Sequence, residues 1–224
     1  MDAASASCDD GRLIGVFGSA GFGREVLPLL RRQYGAAEPR SRFVFVERTS
    51  AADQHGVPVI AEASFFDSPE PRAFVIAIAD VAIRKHLFEQ AVLSGAVPLE
   101  VRSASSEILD RVERGSGAIL CGHSTISSDT KVGLGFHLNI SSYLAHDCRI
   151  GDFVTFGPNV MCAGNVIVED NVYVGGGALI RQGTPDNPLI IGAGATIGMG
   201  AVVTKSVPPG VIMAGNPARP MRQR

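Results

Sequence analysis

A histidine followed by an aspartate, His146-Asp147, stands in the segment SSYLAHDCRIGD. A neutral imidazole near pH 7 can accept a proton from an amine. The neighbouring carboxylate can orient that ring or raise its basicity. On a straight strand, however, adjacent side chains point to opposite faces, so Asp147 reaches His146 only if the chain bends there. The plain alternative is a surface histidine with no task. A second feature is Gly18-Ser19-Ala20-Gly21-Phe22-Gly23, which lies where a strand-like run turns into a helix-like one. Backbone N–H groups in such a turn can face a phosphate, helped by the positive end of the helix. The order falls short of the full GxGxxG fingerprint, and a tight turn that binds nothing is its plain alternative. Glu47 ends the next apolar run, FVFVE, where an acidic side chain can take a ribose or base hydroxyl.

The elements that must hold His146 are legible in a six-residue beat. From Ile126 an apolar or small residue recurs at Val132, Leu138, Leu144, Ile150, Phe156, Cys162, Val168, Val174 and Ile180, and again at Ile191, Ile197 and Val203. Four residues after many of these comes a second mid-sized side chain, such as Val154, Val160, Val166, Val172 and Ala178. A period of six fits neither an amphipathic helix nor an alternating strand. It is the signature of a parallel β-helix. Three hexapeptides make one triangular coil of about eighteen residues, and coils stack about 4.8 Å apart. Residues eighteen apart then form internal ladders: Ile126, Leu144, Cys162, Ile180; Val132, Ile150, Val168; and Leu138, Phe156, Val174. The glycines after the beat are expected at corners that need positive φ. Cys148 and Cys162 read as small buried hydrophobes. His146, two residues past the inward Leu144, falls at a corner and projects outward, with Gly164 directly above it. GTPDNP, from Gly183 to Pro188, adds five residues to the beat and must protrude as a loop.

The first hundred residues have a different pattern. RLIGVF, FVFVE, GVPVI and AFVIAIA read as strands, with HGVPVI beginning in a turn. REVLPLLRRQYG and DVAIRKHLFEQAVLSG read as helices closed by Gly35 and Gly95, with Pro28 an awkward residue inside the first. Alternating strands and helices predict a small, parallel, Rossmann-like α/β sheet. The expected organisation is an α/β domain over 1–100, a β-helix over 101–205 and a Pro- and Gly-rich tail over 206–224. VRSASSEILDRVERG is expected to bridge into the coils, and the tail to leave the repeat at Ser206.

Composition bounds the rest. A net charge of −2 in 224 residues makes no case for nucleic acid or an anionic membrane. No run of eighteen apolar residues predicts a membrane-spanning helix. MDAASASCDDGR lacks an apolar signal core, and Cys8, Cys121, Cys148 and Cys162 show no CxxC spacing, so a reducing cytoplasm is the expected home.

The hexapeptide region resembles the left-handed β-helix acyltransferases, trimeric enzymes that use acetyl-coenzyme A; the left hand comes from that resemblance. VFGSAGFGREV, FVFVE, GVPVI and AIADVAIRK resemble the N-terminal domain of bacterial sugar N-acetyltransferases acting on nucleotide-linked 4-amino-4,6-dideoxy sugars, of the GDP-perosamine type. The resemblance implies a nucleotide-sugar site at Ser19, Ala20, Gly21, Glu47 and Arg48. Ala79-Asp80 stands where the family has a small residue or glycine before Asp, and Glu47-Arg48 where it has an acidic pair. It implies His146 as general base with Asp147 beside it and Asn139 at the sugar; the stacking itself predicts that the bare Gly164 over His146 leaves room for a thioester to approach. For the coenzyme it implies Thr155, Gly164, Gly176, Met199, Lys205, Gly215, Asn216 and Arg219.

The expected function is therefore acetyl-CoA-dependent N-acetylation of a nucleotide-linked amino sugar by a homotrimer, feeding surface-glycan synthesis such as O-antigen and lipopolysaccharide. An O-acetyltransferase of the same fold would need no nucleotide pocket, and a non-catalytic scaffold would need neither site. A metal site is not expected: His123, His137 and His146 do not stack at multiples of eighteen, as zinc ligands converging from successive coils would.

Overall fold

The structure, a computed structural model, describes residues 11–221. Cys8, nearly all of the opening stretch read for a signal core, and the last three residues of the tail lie outside the described residues. The chain divides after Leu99 into two compact units.

The first unit runs β1 (Leu13–Phe17), α1 (Gly21–Tyr34), β2 (Arg42–Glu47), β3 (Ala51–Gln54), β4 (Val57–Ala61), α2 (Glu62–Phe66), β5 (Arg72–Ile76), α3 (Val81–Leu93) and β6 (Val97–Pro98). Its sheet has the order β3-β4-β2-β1-β5-β6, parallel throughout except for the β3–β4 pair. β1, β2 and β5 carry unbroken apolar runs because they are buried on both faces, with Ile14, Phe17, Phe45 and Phe74 inaccessible or nearly so. Phe17 packs edge-on against Phe65 of α2 at 5.2 Å, and a side chain at Gly15 would collide with that same ring. The chain leaves β1 toward β2 on one side and reaches β5 on the other. The C-terminal end of β1 is therefore the switch point of the sheet, where open α/β sheets form a crevice.

Three details depart from the sequence reading. α1 begins at Gly21, not Arg24, so the glycine-rich segment supplies its first turn, and the helix runs past the exposed Pro28. The segment before β4 is a strand of its own, β3, joined by a two-residue turn at His55 and Gly56, both at positive φ. α2 is too short to show a helical period.

The second unit is a parallel β-helix of three sheets. The expected ladders are in register: Ile126 on Leu144, Leu144 on Cys162, Cys162 on Ile180, with Val203 above. Val132, Ile150, Val168 and Ile191 form the second, and Leu138, Phe156, Val174 and Ile197 the third. Val154, Val160, Val166, Val172 and Ala178 also point inward and are fully buried.

The corners follow another rule than the one expected. Positive φ recurs every sixth residue, at Arg111, Gly117, His123, Asp129, Gly135, Ser141, Asp147, Phe153, Asn159, Asn165, Asn171 and Gly177. Most are not glycine. The glycines after the beat, such as Gly133, Gly157 and Gly175, have ordinary φ. They are needed because a Cβ at each would meet the next coil's backbone at 2.7 Å.

The stack is also longer than the beat. Val101–Arg102, Glu107–Ile108 and Glu113–Arg114 already pair as coil strands, so VRSASSEILDRVERG is the first coil rather than a bridge. Arg102 and Arg114 occupy beat positions at the open end of the prism; Arg114 pairs there with Glu100 at 2.8 Å. The tail does not leave at Ser206 either. Ile212–Ala214 adds a rung on Thr196–Ile197, and Arg219–Pro220 folds back antiparallel onto it.

Phe156 is fully buried in its ladder and packs edge-on against Phe136 at 5.4 Å. Phe156→Ala should cost about 3–5 kcal/mol, measured by urea unfolding. A loss below about 1 kcal/mol would show that the coils close over the gap.

Candidate active site

Asp147 is a corner residue with φ of 57°. That left-handed corner supplies the bend that adjacent residues need to meet. The His146 Nδ1 and the Asp147 carboxylate lie 2.7 Å apart, both about half exposed. When Nδ1–H donates its hydrogen bond to Asp147, Nε2 is left unprotonated with its lone pair free. The corner is tied to the stack by Asp147 N–H donating to the Ser128 carbonyl and Asn165 N–H donating to that of His146.

Gly164 does sit over His146, but the space above the ring is not open. A Cβ at Gly164 would stand 2.6–3.0 Å from three atoms of the imidazole. The absent side chain makes room for the histidine ring itself, which corrects the expectation of an opening for a reactant. Gly164 N–H has no partner among the described residues, whereas its carbonyl accepts from Gly183 N–H at the root of the inserted loop.

That loop walls a cavity of about 450 Å³ through Thr184, Pro185 and Pro188. Asp129, Lys131, Asp147 and Asn165 also line it. Asp129 and Arg111 escaped the sequence reading; only their offsets of one and two eighteen-residue coils from Asp147 signal them. Arg111 grips Asp129 through two hydrogen bonds of 2.5 and 2.7 Å, which hold the carboxyl below its usual range.

Asn139 is half-buried, and its side-chain amide donates to the Phe156 carbonyl at 2.8 Å, so it braces the coil. Thr155 lies buried in its strand between His137 and Tyr173. Gly176 stands beside Pro158, and Met199 is 82% exposed. Lys205 and Arg219 line one cavity of about 380 Å³, and Lys205 with Arg181 lines another of about 310 Å³. Arg181 is thus a cation that the sequence reading missed, because it directly follows the beat residue Ile180. Gly215 and Asn216 are exposed in the final reversal.

In the first unit, Ser19, Ala20, Gly21, Glu47, Arg48, Ala79 and Asp80 gather at the C-terminal ends of the adjacent strands β2, β1 and β5. A Cβ on Gly23 would overlap the Gly18 carbonyl, so Gly23 serves helix–strand packing, while one on Gly21 would stand in open space. No side chain caps α1 and no acid lies in its first turn. By contrast, Asp80 caps α3 by accepting from Ile83 N–H at 2.9 Å. Glu47 accepts from Ser19 N–H at 2.6 Å, which ties β2 to the turn. Among the described residues no group of three or more His, Cys, Asp or Glu is arranged to hold a metal ion.

Hexapeptide coils with a histidine–carboxylate pair at a corner and cationic cavities nearby define a class, the β-helix transferases. The profile described as bacterial transferase hexapeptide (six repeats) matches residues 147–182. The GDP-perosamine N-acetyltransferase of Escherichia coli O157:H7 is 46% identical over 215 residues, 94% of this chain and 97% of that protein. WeeI from Acinetobacter baumannii AYE is 48% identical with a TM-score of 0.89, covering 93% of this chain and 99% of its own. PerB from Caulobacter crescentus, solved with CoA and GDP-perosamine, is 25% identical with a TM-score of 0.81, covering 93% and 97%. The chain belongs to the hexapeptide-repeat transferase family, and its coil is that family's left-handed parallel β-helix.

Gly164→Ala should push the imidazole off Asp147. A misplacement of about 1 Å can cost about 10²-fold in rate, so turnover is expected to fall by about that factor with KM values little changed. A crystal structure of the variant with the ring still hydrogen-bonded to Asp147 would refute this account of Gly164.

Proposed function

We propose that the chain is an acetyl-CoA-dependent N-acetyltransferase acting on the amine of a nucleotide-linked 4-amino-4,6-dideoxy sugar of the GDP-perosamine type. The observation that carries it is the match, at 46% identity, to almost the full length of a GDP-perosamine N-acetyltransferase. Both halves of the chain are thereby covered, the α/β unit as well as the coils. An O-acetyltransferase of this fold would have no use for the first unit's uncapped α1 terminus.

In this reading the sugar amine attacks the thioester carbonyl. His146 Nε2 takes the amine proton as the tetrahedral intermediate forms or collapses, and then passes it to the departing CoA thiolate. Asp147 holds the tautomer that leaves Nε2 unprotonated. The free Gly164 N–H, next to the ring, stabilises the oxyanion. In the first unit the amides of the α1 first turn take the diphosphate, which the exposed Gly21 lets approach. Arg48 and Asp80 flank the nucleoside, with Glu47 holding the turn that receives it. Lys205 and Arg219, joined by Arg181, pair with CoA phosphates, while Thr155, Gly176, Met199, Gly215 and Asn216 complete the coenzyme groove. Asn139 braces the coil on the sugar's side.

The same reading makes the chain a homotrimer. In its support, one sheet of the β-helix carries an outward apolar row of Tyr143, Met161, Leu179 and Val202, with Met161 42% and Leu179 46% exposed. Such a row suits burial against a second copy. Among the described residues no helix is long and apolar enough to cross a membrane. A cytoplasmic reaction that supplies surface-glycan assembly belongs to this proposal.

Two variants separate the two units by kinetics. His146→Ala should lower kcat by about 10²–10⁴-fold, with the loss shrinking as pH rises because more of the amine is then already neutral. Gly21→Leu should raise KM for the nucleotide sugar and leave that for acetyl-CoA unchanged. Near-full kcat in the first variant, or equal loss of both affinities in the second, would sink the respective assignment.

For the assembly, light scattering should show a trimer for the wild type at micromolar concentration and a smaller species for Met161→Asp. A wild-type monomer would exclude the trimer.

A further inference from the structure

The eighteen-residue stacking that sets Gly164 over His146 also sets Asp129 under Asp147. Both are left-handed corner residues, with φ of 59° and 57°. They belong to one corner column: Arg111, Asp129, Asp147, Asn165. Asp129 and Asp147 line the same cavity. The column therefore places a second carboxylate one coil below the one that holds the imidazole. That carboxylate is not loose, because Arg111 holds it in a two-point grip at 2.5 and 2.7 Å. A fork of this kind fixes direction as well as distance.

We infer that Arg111 and Asp129 form a positioning and tuning pair for His146: Asp129 favours the protonated ring, and Arg111 moderates that effect by partly neutralising Asp129. Neither residue touches the reacting atoms. The inference rests on the proposed role of His146 as the general base.

The sign follows from Coulomb's law. An imidazolium gains from each nearby negative charge and loses from each positive one. Consistent with proximity, a protonated His146 helps keep Asp129 ionised, and the Asp147 carboxylate favours the charged form of Arg111. The other groups facing this corner are Asp110 next to Arg111, and Lys131, Arg149 and Cys148 on the walls of the shared cavity. They are unchanged in the variants below, so they cancel in the comparison. Arg111 and Asp129 are both well exposed, with relative side-chain areas of 68% and 43%. Screening by water and salt then limits the effect to a fraction of a pH unit. It also means that the fold does not depend on the pair.

The test uses Asp129→Asn, Arg111→Gln and the double variant of the full chain. His146 is followed by NMR of its ring carbon–hydrogen signals across pH, assigned by loss in His146→Ala. The pH profile of kcat/KM is measured in parallel. Asp129→Asn removes a negative charge and leaves Arg111 unpaired, so the midpoint of the ring's titration should move to lower pH. Arg111→Gln leaves Asp129 unneutralised, so the midpoint should move to higher pH. The double variant should fall between them, and both displacements should shrink at high salt. A merely structural pair would lower the melting temperature and move both midpoints alike or not at all. Displacements of equal sign, or none, overturn the inference. If the NMR midpoints separate as expected while the kcat/KM profiles stay fixed, the pair stands and it is the general-base role of His146 that fails.

Discussion

The structure depends on one constraint: the strands of each coil must hydrogen-bond to those of the coil stacked on it, in a register offset by eighteen residues. Met161 N–H to the Ala178 carbonyl and Thr155 N–H to that of Val172 are two rungs of this ladder. The triangular path it imposes turns sharply three times per coil, and from Arg111 to Gly177 each turn passes through a residue at positive φ, between 55° and 78°. For residues other than glycine that conformation costs roughly 1–2 kcal/mol. Asn and Asp recur there because their short polar side chains tolerate it best. The burial of two inward rows per sheet offsets the cost. Because the corner has to be left-handed, the residue that follows His146 turns its carboxylate back onto the imidazole. The His146–Asp147 pair is thus a product of coil geometry before it is a device for chemistry.

The same constraint explains which positions tolerate side chains. After each inward residue the backbone of the next coil passes so close that a Cβ at Gly133, Gly151 or Gly157 has no space. Gly164 is different in kind. The obstacle there is the ring of His146, not backbone. A packing argument therefore separates a glycine kept for the stack from one kept for the site.

The first unit solves a separate problem with separate means. Two helices follow two neighbouring strands of one sheet, and their N-termini are treated oppositely. Asp80 satisfies the first turn of α3, while the N-cap of α1, Ala20, offers no side-chain cap. An uncapped terminus retains backbone donors and the positive end of the helix dipole. Glu47, bonded to Ser19 N–H, stiffens the approach to it. In the proposed reading, the diphosphate would meet these uncapped donors.

The beat from Ile126 to Val203 determined the β-helix and its three ladders, because burial inside a prism demands apolar side chains at fixed intervals and leaves a periodic trace. The alternation of apolar runs and helical segments did the same for the α/β unit. The trace fades where burial is incomplete. Arg102 and Arg114 hold beat positions at an open end, and the final rung at Met213 follows Ile197 by sixteen residues rather than eighteen. α2 and β3 were invisible because five and four residues are too few to show a period. His146 and Asp147 were legible as residue types in a motif, and the glycine-rich turn as a strand-to-helix junction. Only the tertiary structure decided that they meet at 2.7 Å, that Gly164 houses the ring, and that Arg111, Asp129 and Arg181 join these surroundings. Side-chain direction at a corner depends on φ and on the coil stacked against it, and neither is written in the identity of a single residue.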